Sequence, residues 1–192
     1  ALAFLLGVVV GLFLTLPSAG DFDPASYVLY LLMFLVGIGA GADPTAFAMI
    51  RKHGIRLILL PLAVVAGTFV GTALVALIWP SMPLRESLAV GAGYGYYSLS
   101  SLVIREISGD DWAAVALLSN ISREILTLLL APVLVRLGGP SAPAAAGGAT
   151  SMDTTLAATV QSSGRAWSVP ALFSGVVLTI LVPFLVTLIL TV

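Results

Sequence analysis

The chain contains no cysteine, which excludes disulfides, thiolate metal sites and cysteine nucleophiles. Its single histidine, His53, sits in a basic segment and reads as a solvated surface residue. An intramembrane serine protease of the rhomboid type needs a membrane-buried histidine, so that class is excluded. An aspartyl intramembrane protease needs two facing aspartates, and only Asp153 lies deep in an apolar run. No metal-ligand cluster and no nucleotide-binding loop can be read from the sequence. The chain does not read as an enzyme, and no cofactor is expected.

Charge is scarce as well. Charged residues make up 9% of the chain, against about 25% in soluble domains. Hydrophobic residues reach 59% and mean hydropathy is +1.13. Together these mark an all-α integral membrane protein, with residues 1–192 forming one polytopic membrane domain. A net charge of −1 gives nucleic-acid binding no electrostatic support.

Hydrophobic runs predict about seven transmembrane segments. Ala1–Leu16 is apolar but lacks a basic leader and a cleavage site, so it reads as a span. An acidic loop follows, and then Tyr27–Ala42, in which Gly37–Gly41 offers a small packing face. Arg51, Lys52, His53 and Arg56 are the densest basic cluster and place that segment in the cytoplasm. Leu57–Trp79 is 23 uncharged residues, about 34 Å of helix. Leu88–Ile104 should cross next, broken within Gly91–Ser101 because three glycines in five residues each weaken a helix by about 1 kcal/mol. Arg105–Asp111 is then a cytoplasmic loop, Trp112–Arg136 a span running outward and 138–143 an external turn. Ala144–Ser163 returns inward, broken near Gly147–Thr155, and Trp167–Val192 is the last span, with a kink at Pro183. An odd number of spans fits poorly with two equal halves. An extra span upstream, or a small partner membrane subunit, would resolve that, and a homo-oligomer is the other assembly the sequence leaves open.

Two polar islands interrupt the apolar runs. Glu124 lies halfway along the 25 residues from Trp112 to Arg136, near a bilayer midplane. A charge there costs roughly 2.5–3.5 kcal/mol on insertion scales, so it points to function. Asn120, Glu124 and Thr127 share one helix face, with Ser119, Ser122 and Arg123 beside them. Asp153 follows Glu124 by 29 residues, which suits one helix, a tight loop and half a span back. Both carboxylates can therefore reach one depth and form a cation or proton site. Around Asp153, Thr150, Ser151 and Thr154 supply hydroxyls, and some of these residues could also cap the following helix. In the first break, Gly93 and Gly95 expose backbone while Tyr96, Tyr97 and Ser98 add polar groups. Arg123 has two readings: a charge partner for Asp153, or a fork that grips a substrate carboxylate.

Three motifs in order carry a family resemblance: Gly93–Ser100, Leu117–Glu124 and Gly148–Thr155. With Val169–Gly175 and Leu181–Pro183 they resemble the LysO-type lysine exporter family over essentially the whole chain. Members export L-lysine and toxic lysine analogues across the bacterial inner membrane, so the resemblance implies a multi-pass plasma-membrane protein. The family's two important intramembrane acids fall on Glu124 and Asp153. Full-length members usually carry further N-terminal spans, which again implies a split gene with a partner subunit or a shorter variant.

The expected function is export of L-lysine in exchange for protons, inside a lipid bilayer. Glu124 is expected to carry the proton and Asp153 to hold the lysine. A passive cation channel using the Gly93–Gly95 backbone is the alternative, and a structural membrane subunit is a third reading.

Overall fold

A computed structural model of the chain describes residues 56–79 and 81–192. The two expected N-terminal spans, the acidic loop, the Gly37–Gly41 face and His53 lie outside the described residues. What is described is helical, with no strand. Helix α1 spans Arg56–Ile78, α2 Leu84–Gly91, α3 Tyr97–Ser108 and α4 Asp110–Gly138. Helix α5 is short, Ala142–Gly147, and runs into a 3₁₀ turn over Gly148–Met152. Helix α6 covers Leu156–Ser163 and α7 covers Ser168–Thr191.

Three of these helices, α1, α4 and α7, are long and apolar enough to cross a membrane. The other four form two pairs, each interrupted where the glycines predict a break. At the first break Tyr94 and Gly95 both take positive φ, 45° and 95°, and at the second Gly148 takes 64°. Left-handed backbone of this kind ends a helix and turns the chain.

The direction of that turn corrects the expected topology. Leu57, Leu60 and Ala63 of α1 line one apolar cavity together with Ser141, Trp167 and Pro170. The starts of α1, α5 and α7 therefore lie at one end of the bundle. At the other end Arg85 Nε donates to the Ile189 carbonyl at 3.2 Å, joining the start of α2 to the end of α7. Only Gly109 separates α3 from α4, so α4 runs antiparallel to α3 and finishes at the Ser141 end. Helix α3 must then end where α2 began, and α6 where α5 began. Each pair is a hairpin that enters the bundle and leaves by the same end, rather than a crossing. Residues 84–108 suffice for one crossing at 1.5 Å per residue or for two half-depth legs, and the glycine turn selects the second.

Helix α7 is the spine. Its buried residues Ala171, Ser174, Gly175, Leu178, Val182, Val186 and Leu190 follow helical spacing along one face. Against the far half of that face pack Ala89, Val90, Leu99, Val103 and Ile104 of the first hairpin. Against the near half lies the 3₁₀ turn of the second. There an ideal Cβ on Gly175 would stand 2.5 Å from the Met152 nitrogen and 2.8 Å from the Ala149 oxygen. Association of this kind rests on close packing, because lipid tails are as apolar as the helices. The helix continues through the buried Pro183.

Candidate functional site

The two hairpin tips meet in the middle of the bundle. The Ala149 N–H in the second tip donates to the Tyr94 carbonyl in the first, at 2.7 Å. The approach is close enough that an ideal Cβ on Gly95 would lie 3.0 Å from the Gly147 oxygen. Only glycine, without a Cβ and at ease at positive φ, fits such a crossing of backbones.

One turn of α4 stands beside both tips. The Asn120 Oδ1 accepts from the Gly95 N–H at 2.7 Å. Its Nδ2 donates to the carbonyls of Ala116 at 2.9 Å and Val90 at 3.2 Å. One turn on, Arg123 Nε donates to the Ala146 carbonyl at 2.6 Å and Nη2 to the Ala145 carbonyl at 3.1 Å. These are terminal carbonyls of α5, which no intrahelical N–H satisfies, and they form the negative end of its dipole. The Thr127 hydroxyl donates back to the Arg123 carbonyl at 2.8 Å, inside α4.

Between the tips and α4 lies a cavity of about 220 Å³. It is lined by Gly95, Tyr96, Tyr97 and Ser98 from the first tip and by Ala149, Thr150, Met152, Asp153 and Thr154 from the second. Glu124 of α4 and Thr179 of α7 complete the wall. The volume is below the 300–1,000 Å³ usual for drug-sized ligands and suits a smaller molecule. Glu124 is half-buried, whereas Asp153 is exposed to the opening. The Asp153 Oδ1 accepts from the Thr154 N–H at 2.6 Å and lies 3.4 Å from the Thr154 hydroxyl. Helix α6 starts after Thr155 with no side-chain cap, so Asp153 does not cap it. Among the described residues, two carboxylates and no basic side chain line the cavity. Such a lining attracts a cation.

Of the residues expected at the site, Glu124, Asp153, Thr154, Gly95, Tyr96, Tyr97 and Ser98 come together in this wall. Asn120, Arg123, Ser151 and Gly93 stand behind it. The Ser151 hydroxyl lies 2.6 Å from the Gly148 carbonyl and 2.8 Å from that of Ala171, pinning the tip to α7. Gly93 makes room for Asn120 and Ser100. Met152 and Thr179 were not expected, since neither stands out in an apolar sequence. Their Sδ and Oγ1 lie 3.7 Å apart. The Gly93–Gly95 carbonyls do not form a free filter ring. That of Gly93 accepts from the Tyr96 N–H at 2.7 Å, and that of Tyr94 is held by Ala149.

Long apolar helices, paired broken hairpins and a carboxylate-lined cavity at their meeting point define an all-α membrane protein. The family model described as "Lysine exporter LysO" matches residues 1–190, and the chain belongs to that family. It is 31% identical to the Lysine exporter LysO of Escherichia coli over 164 residues, 85% of this chain and 54% of that protein. It is 30% identical to a "Putative lysine exporter" of Haemophilus influenzae over 190 residues, covering 95% of this chain and 92% of that one. The chain thus spans about half the length of the first relative and nearly all of the second. No solved structure matches it.

Proposed function

We propose that this chain carries out export of L-lysine across the plasma membrane in exchange for protons, with Glu124 and Asp153 as the charged groups of the transport site. The observation that carries the reading is the shared cavity: both carboxylates line one small space where two opposed hairpin tips meet. Family membership supplies the substrate. Moving a cation outward against an inside-negative potential costs about 2.3 kcal/mol per charge per 100 mV, and inward proton flow offsets it. The test is lysine counterflow in proteoliposomes holding only this chain. Transient accumulation of labelled lysine, abolished by Asp153→Asn, supports the reading. Lysine leak without counterflow would favour a channel. Counterflow that appears only with a second membrane subunit or an added N-terminal half would favour a split exporter.

The proposed orientation follows from the basic residues. Among the described residues Arg56, Arg136 and Arg165 belong to the Ser141 end, while Arg85 and Arg105 belong to the other end with Glu86, Glu106, Asp110 and Asp111. Three basic residues against two, with Arg51 and Lys52 just before Arg56 in sequence, favour a cytoplasmic Ser141 end. This reverses the sequence-based placement of 105–111 inside and 138–143 outside. The native chain has no cysteine, so single-cysteine variants report cleanly. An impermeant maleimide should label Asp111→Cys in intact cells, and Leu137→Cys, on a residue 83% exposed, only after permeabilisation. The opposite pattern would put the Ser141 end outside.

A further inference from the structure

We propose that Asn120 and Arg123 are positioning residues: one turn of α4 grips both hairpin tips and ties their movement to the state of Glu124 on the same turn. The inference rests on the reading of the cavity as the transport site. Arg123 is absent from the cavity wall, and both of its side-chain hydrogen bonds among the described residues go to carbonyls that end α5. A cation at a helix C-terminus is favoured by the dipole as well as by the two bonds. Asn120 does the same for the other tip, using its one acceptor and both donor hydrogens on three backbone partners.

What makes this more than local structure is where the bonds fall. Apart from the Asn120–Ala116 bond inside α4, they connect side chains of a crossing helix to the backbone of two hairpins, so they can break and re-form without unwinding any helix. Ala145 and Ala146 lie immediately before the 3₁₀ turn that leads to Asp153, so releasing Arg123 frees the segment carrying one carboxylate. Glu124 follows Arg123 in sequence but is rotated about 100° away, toward the cavity. A cation or proton reaching Glu124 therefore acts on the turn that holds both tips. Alternating access needs the tips to part on one side at a time, and these are the bonds that would have to yield.

The experiment uses the full chain with one reporter, Ala149→Cys, in the second tip. Arg123→Gln should lower kcat for lysine at least about tenfold and leave KM within about threefold. Binding of L-lysine and of 1,5-diaminopentane, which lacks the carboxylate, should change by the same factor. Maleimide labelling at the reporter should quicken about tenfold and lose its protection by lysine. Arg123→Lys, which keeps the charge and can reach one carbonyl, should restore part of both; it also carries the test if the Gln variant does not fold. Weaker binding of lysine with unchanged binding of the diamine would make Arg123 a contact for the substrate carboxylate and overturn the proposal. Unchanged kcat and labelling would overturn it too. Because labelling needs no transport, faster labelling in a chain that shows no counterflow would keep the latch and reject the transport reading.

Discussion

Replacing Gly93 by alanine should cost the protein several kcal/mol and remove export, whereas the same change at Gly67 or Gly71 should be neutral or mildly stabilising. An ideal Cβ on Gly93 would stand 2.6 Å from Asn120 Nδ2 and 2.7 Å from Ser100 Oγ. Neither neighbour can step aside freely. The Asn120 amide holds three backbone groups, and the Ser100 hydroxyl donates to the Tyr96 carbonyl at 2.9 Å. Leaving buried polar groups unpaired costs about 1–3 kcal/mol each, so two or three lost bonds approach the total stability of a small domain. Gly67 and Gly71 of α1 meet nothing within 4 Å, and there alanine gains roughly 0.8–1 kcal/mol of helix propensity. Gly95→Leu should be as damaging as Gly93→Ala, because it adds strain at a φ of +95° to contact with the Gly147 carbonyl. Thermal melting in detergent, read beside export, checks all four. Gly93→Ala with the melting temperature and export of Gly67→Ala would show that the first tip is far looser than its packing.

The difference between these glycines also shows what a sequence can and cannot carry. Gly91, Gly93 and Gly95 announced a break because glycine weakens a helix wherever it sits, and the break is there. Whether the chain then crosses or turns back depends on partners 25 or more residues away, such as Asn120 for Gly95. Hydropathy is blind to that. The Asn120–Glu124 stripe was legible because helical spacing fixes which residues share a face. The direction of Arg123 was not, since its partners are backbone carbonyls of Ala145 and Ala146, and every residue offers the same carbonyl. Met152 and Thr179 were illegible for a related reason: a methionine in a turn and a threonine in an apolar helix look like filler until the fold brings them to a cavity wall. Charge distribution could have exposed the hairpins early, because the folded-back topology puts Arg136 at the same end as Arg56 and Arg165, whereas alternating spans put it opposite them.

Glu124→Gln and Asp153→Asn should both abolish export, but for different reasons. Each change keeps the shape and removes a charge, and no hydrogen bond or ion pair among the described residues depends on the Glu124 carboxylate. Insertion and folding should survive, helped in the case of Glu124 by removing a mid-helix charge worth up to about 3 kcal/mol. Asp153 is exposed to the opening, and one of its oxygens is held by the Thr154 N–H, leaving the other to face a ligand. It is the group a lysine ammonium meets first. A hydrogen bond to a charged group is worth about 1.5–3 kcal/mol, so Asp153→Asn should weaken lysine binding about 10- to 150-fold. Glu124 is half-buried on the turn of α4 that holds both tips, a better place for a proton whose arrival must be felt by the hairpins. Glu124→Gln should therefore lose pH-driven export and keep most of its lysine binding. Calorimetric lysine affinity beside pH-jump transport separates the two variants. Intact binding in Asp153→Asn with lost binding in Glu124→Gln would exchange the roles. Loss of binding in both, with wild-type transport indifferent to pH, would sink proton exchange and leave the two carboxylates as a lysine site alone.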